Sequence, residues 1–168
     1  MGVIRGLERI TDLLAAVGAF LVLPLIAAMV YEVFSRYVLG SPTFWSYEIG
    51  YMLMATIFMF GMAYALKTGN HVSVDFVYGR LSPRKQAIIN LLGYGFLIPC
   101  LIWLSYSLFE YALRAYETGR VSGQSAWNPV VWPYRTVLFV GFSVLSLQLL
   151  IEFAKSLHAL FGGRDAEA

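Results

Sequence analysis

Five ionisable residues lie where long apolar runs end: Glu32, Arg36, Glu48, Glu110 and Arg114. Charges beside such runs are candidate functional groups, because a charge at the middle of a bilayer costs about 2.5–3.5 kcal/mol on insertion scales. Glu32 and Arg36 are four positions apart with the acid first, and Glu110 and Arg114 repeat that order, which suits an ion pair along a helix. Two chemistries follow from these residue types. In one, an acid relays protons or cations, which requires a carboxylate deep in its helix and free to titrate. In the other, acid and base neutralise each other at helix ends. Each acid here stands at the edge of its run, with a base four positions on or within reach across the Gly40–Thr43 turn, which brings Glu48 toward Arg36. That placement favours structural pairing.

No constellation for catalysis accompanies them. His71 and His158 are the only histidines and lie outside the apolar runs, so facing axial haem ligands are not available. HExxH, the phosphate-binding GxxxxGKS/T and GxSxG are absent, which removes the residues of zinc hydrolysis, nucleotide binding and elbow-type ester hydrolysis. The one cysteine, Cys100, follows Pro99 inside an apolar run and supports neither an intramolecular disulfide nor a thiolate cluster. Ser35, Thr56 and Ser105 are expected to bond to helix backbone. The expectation is a chain with no catalytic, cofactor or metal site, and not an enzyme. Its net charge of +2 gives no reason to expect nucleic acid as a partner.

The elements that must carry these residues are set by hydropathy. Of 168 residues 59% are hydrophobic and 13% charged, against about 25% charged in ordinary soluble domains. A hydrocarbon core of about 30 Å needs roughly 20 apolar helical residues, and four uncharged runs come near or meet that length: Leu13–Tyr31, Ile49–Leu66, Ile88–Phe109 and Thr136–Ile151. With their interfacial flanks the spans are expected over about 13–36, 46–66, 84–114 and 132–154. None of these runs alternates as barrel strands do, so the fold class is an all-α integral membrane protein, four transmembrane helices in a tilted bundle forming one membrane domain. The first run keeps the basic flank of a signal sequence but is too long and lacks a small-residue cleavage site, so it is expected to remain as a helix. Pro24 and Pro99 are expected to bend the first and third helices.

Basic residues set the orientation. Arg5, Arg9, Lys67, Arg80, Arg84, Lys85, Lys155 and Arg164 fall on one side, and Arg36, Arg114, Arg120 and Arg135 on the other. The richer side is expected to be cytoplasmic, which places both termini and the central segment 67–83 there, in the bacterial inner membrane, with the short first connection and the 115–131 loop outward. Within the central segment Val74, Val77, Tyr78 and Leu81 make one apolar stripe, read as a short amphipathic helix lying in the interface. Ser82 and Pro83 supply an N-cap and a first-turn proline for the next helix. Trp45, Trp127 and Trp132 cluster at the outward connections as an interfacial belt. Trp103 stands in mid-span, and its indole N–H calls for a protein acceptor. A weak duplication relates Glu32, Arg36, Pro42, Trp45 and Tyr47 to Glu110, Arg114, Pro129, Trp132 and Tyr134, although interfacial placement alone selects the same residue types.

Three stretches together resemble the small membrane subunit, the Q subunit, of tripartite ATP-independent periplasmic (TRAP) transporters. They are Glu32 to Pro42 with Trp45 and Glu48 following, Gly61 to Ala65, and His71 to Asp75, and the run from Gly141 to Gln148 also fits. The resemblance implies a complex in which a large polytopic membrane subunit carries a sodium-coupled transport path and a periplasmic binding protein delivers an organic acid. The small subunit is then a scaffold in the lipid bilayer without substrate or ion sites of its own. On that reading Glu32, Arg36, Trp45, Glu48, Trp103, Glu110 and Arg114 are structural or partner-interface residues, and the loop carrying Glu117, Arg120 and Gln124 is either a solvated connection, as outer loops commonly are, or a dock for the binding protein. Two rival readings are a self-sufficient small exporter that uses Glu32 for proton coupling, and an anchoring subunit of another membrane complex.

Overall fold

Backbone amides have no water to bond to in hydrocarbon, so an apolar chain must satisfy them internally. Among the described residues this one does so with four helices: α1 (Gly2–Tyr37), α2 (Ser46–Lys67), α3 (Pro83–Glu117) and α4 (Trp132–Phe161). The structure is a computed structural model and describes residues 2–69 and 82–161. All four helices are long and apolar enough to cross a membrane, and no strand occurs among the described residues. The protein is a multi-pass, all-helical membrane protein. The amphipathic helix expected between the second and third spans falls on residues 70–81, outside the described residues.

Pro24 and Pro99 are carried inside α1 and α3, each of which continues past its proline. Pro83 occupies the first turn of α3 as expected; Ser82 stands at the N-cap with extended backbone, but its side chain makes no capping bond. Each of the two hairpins closes at the same end of the bundle, through residues 38–45 and 118–131. This is called the loop end below, and the opposite end the terminal end.

The helices pack in the order α1, α2, α4, α3, with α1 also touching α4. Consequently the middle helices carry the core: 28% and 33% of their apolar windows are buried, against 6% for α1 and for α3. Ala63 and Leu66 of α2 meet Leu145 and Leu149 of α4, and Tyr94, Ile98 and Leu101 of α3 pack against them. Lipid tails are as apolar as leucine, so close packing rather than hydrophobicity holds such helices together. Gly141 shows this best: a Cβ there would stand 2.8 Å from the Met59 Cβ. At Gly18 an added Cβ would approach the Phe60 Cβ to 3.3 Å. These glycines let α4 and α1 lie hard against α2.

Candidate functional site

At the loop end the first connection folds onto Glu32. Its Oε1 accepts bonds from both Arg36 Nε, at 2.8 Å, and Arg36 Nη2, while Oε2 accepts the Thr43 amide at 2.9 Å and the Thr43 hydroxyl. The expected i, i+4 pair therefore forms, and the same carboxylate also holds the turn. Gly40 takes a φ of +64°, a conformation open to glycine at little cost, and the Ser35 hydroxyl bonds to the Ser41 carbonyl. The Trp45 ring stacks on Tyr31 at 5.8 Å and 20°. Next to it, the buried Ser46 hydroxyl donates to the Ala28 carbonyl at 3.2 Å, tying the start of α2 to α1.

Glu48 is not drawn to Arg36. It is fully buried in the first turn of α2, where the helix N-terminus favours an anion. Its Oε1 accepts from the Ser122 hydroxyl at 2.7 Å and from the Ser125 hydroxyl, and Oε2 accepts from Tyr51 at 3.5 Å. Both serines belong to the 118–131 connection, so Glu48 joins the two hairpins. That connection is ordered by an antiparallel bridge between Val121 and Val130, with Gly119, Gly123 and Asn128 in the left-handed region.

The end of α3 is less enclosed. Arg114 and Glu110 pair at 3.0 Å on an exposed surface, and Trp103 is 72% exposed in mid-helix. Arg135, counted in the sequence only for orientation, is instead buried: its guanidinium lies 3.5 Å over the Tyr111 ring and Nη1 donates to the Tyr111 carbonyl at 3.4 Å. Tyr116 and Trp132 meet edge to face at 5.5 Å. In the first hairpin the corresponding tryptophan, Trp45, also meets a tyrosine of the helix before it but stacks on the ring, so the two halves of the suggested duplication make like contacts in different geometry.

The terminal end holds a network that reading the sequence missed. Lys67 pairs with Asp12 at 2.6 Å, joining α2 to α1. Lys155 bridges Glu8 at 2.8 Å and Glu152 at 2.9 Å, joining α4 to α1. Deeper in, the Thr11 hydroxyl donates to Gln148 Oε1 at 3.2 Å, both residues being buried, and Gln148 Nε2 donates to Glu152 at 2.9 Å. The signal available in the sequence was Gln148, a polar amide inside an apolar run.

Among the described residues no buried side-chain polar atom lacks a partner, and no group of acids, histidines and cysteines is placed to hold a metal ion. Ser105 faces Ser146 at 3.3 Å between α3 and α4, and Thr56 bonds back to the Met52 carbonyl at 2.8 Å. These polar groups fasten helix to helix and loop to helix. Both oxygens of Glu32 are occupied, by Arg36 and by Thr43.

Comparison with known proteins adds the family. Residues 25–159 match the model described as tripartite ATP-independent periplasmic transporters, DctQ component. The chain is also similar to the ectoine TRAP transporter small permease protein TeaB of Halomonas elongata. The two are 26% identical over 148 residues, which cover 88% of this chain and 76% of the relative.

Proposed function

The chain belongs to the DctQ component family of tripartite ATP-independent periplasmic transporters, and from that premise we propose that it is the non-catalytic small membrane subunit of a sodium-driven organic-acid uptake system. It packs beside a large polytopic transport subunit, braces it, and helps a periplasmic substrate-binding protein to dock. It sits in the bacterial inner membrane with the terminal end cytoplasmic and the two connections facing the periplasm. The basic asymmetry of the chain supports that orientation.

The observation that carries the bracing role is the set of polar ties at both ends. Thr43, Ser46 and Glu48 fasten the loop end, and Asp12, Lys67, Lys155 and Gln148 fasten the terminal end. A helix held at both membrane faces is poorly suited to sliding and well suited to resisting the movement of a neighbour. The exposed stripe of Trp103, Glu110 and Arg114 on α3 supplies contacts with the large subunit, since lipid tails offer no acceptor to an indole N–H or to an ion pair.

The test is reconstitution into proteoliposomes with an inward sodium gradient and labelled organic acids. Uptake is expected only when this chain, the large subunit and the binding protein are all present. Gradient-driven uptake by this chain alone would refute the scaffold reading and favour the small exporter.

A further inference from the structure

Residues 122–128 make the tip of the second connection, and their backbone is held largely by side chains. The Gln124 amide donates to Ser122 Oγ at 3.3 Å, and the Trp127 and Asn128 amides donate to Ser125 Oγ at 3.2 and 3.4 Å. Each serine hydroxyl donates its own hydrogen bond to the same atom, Glu48 Oε1. The tip thus hangs from chains of the form amide, hydroxyl, carboxylate, in which each bond polarises the next. The acceptor at their end lies outside the connection and outside its hairpin, 74 and 77 positions earlier in the chain. Glu48 is fully buried in the first turn of α2, so its oxygen is a fixed point.

We propose that Glu48 is a positioning residue, the oxygen acceptor on which the 118–131 connection takes its shape. The connection turns Arg120, Val121, Trp127 and Val130 outward. A loop fixed in one shape binds a soluble partner with less ordering cost than a mobile one. The consequence for docking rests on the reading that this loop meets the periplasmic binding protein.

Trypsin supplies the readout, because Arg120 is a cleavage site whose backbone is tied at both groups: its amide donates to the Ala115 carbonyl and its carbonyl accepts from the Val131 amide, at 3.1 and 3.0 Å. The assay uses the assembled complex in nanodiscs, cut from the loop side, with fragments of this chain read by mass. Glu48→Leu and Ser122→Ala/Ser125→Ala are expected to speed cleavage after Arg120 about tenfold or more, since each strands half of a buried hydrogen-bonded set. Glu48→Gln keeps a carbonyl oxygen at the same reach and is expected to stay close to the parent rate. The triple variant Glu48→Leu/Ser122→Ala/Ser125→Ala guards against a failure to assemble, because it removes the carboxylate together with both serine hydroxyls, the exposed tip amides can turn to water, and only the half-buried Tyr51 hydroxyl loses a partner. It is expected to assemble with an open loop, and to cleave no faster than the more labile of its parts. Parent-like cleavage of the triple variant would overturn the proposal. Transport is read on the same samples: a several-fold rise in the apparent KM for the binding protein at unchanged maximal rate is expected. Faster cleavage without that rise would leave Glu48 as the positioning residue and remove the docking role from the loop.

Discussion

At the scale of single residues, the two acid–base pairs that look alike in sequence differ in what depends on them. Glu32 binds Arg36 and, through Thr43, the whole first turn, whereas Glu110 meets Arg114 on an exposed surface. Glu32→Ala is therefore expected to lower the thermal unfolding temperature and yield of the purified complex clearly more than Glu110→Ala does. Equal effects would mean that the Thr43 bonds contribute nothing. The pairs themselves were legible because an i, i+4 spacing is local. The Thr43 clasp and the serines on Glu48 were not, since they depend on where distant turns come to rest. Gln148 and Thr11 make a second case, 137 positions apart and both buried. Gln148→Leu is expected to destabilise by about 1 kcal/mol, the range measured for polar ties between membrane helices. Adding Thr11→Val should restore part of that loss in chemical denaturation, and a purely additive double variant would show that the bond carries no stability.

At the scale of elements, hydropathy located four membrane-length helices, and the described residues hold four. Their order of packing was not legible. In water an apolar stripe marks the face that packs; in lipid the outward face is apolar as well, so the same residues line core and surface. The informative residues were the small ones. Gly141 sits where any side chain would strike Met59, while Gly61, part of the stretch that resembles the family, has no neighbour within 4 Å of an added Cβ. The two glycines predict opposite outcomes. Gly141→Val is expected to force α4 away from α2 and cost about 1–3 kcal/mol, as overpacking does in close-packed interiors, with loss of assembled complex in detergent. Gly61→Ala is expected to be neutral or stabilising by up to about 1 kcal/mol, because alanine is the better helix former and the space is open. Comparable damage from both would show that α2 and α4 do not meet as described.

At the scale of the whole molecule, the family was legible from the order of short motifs, whereas the ties that fasten the helix ends were not, because the sequence keeps their partners far apart. Orientation is checked by fusing alkaline phosphatase: little activity is expected after Arg164 and high activity near Gly123, and the reverse pattern would invert the membrane. Rigidity leads to a sharper expectation. If the chain braces a moving partner, it passes through the transport cycle as one body, so fastening its own helices together should not matter. Asp12 and Lys67 already join α1 to α2 at the terminal end. In a Cys100→Ala background, Asp12→Cys and Lys67→Cys joined by a short, reducible bifunctional thiol reagent would make that tie covalent. Transport by the reconstituted complex is expected to stay near the level of the unbridged variant, before and after the link is reduced. Uptake that stops on bridging and returns on reduction would mean that α1 and α2 separate during the cycle, and the chain would then be a moving part of the transporter.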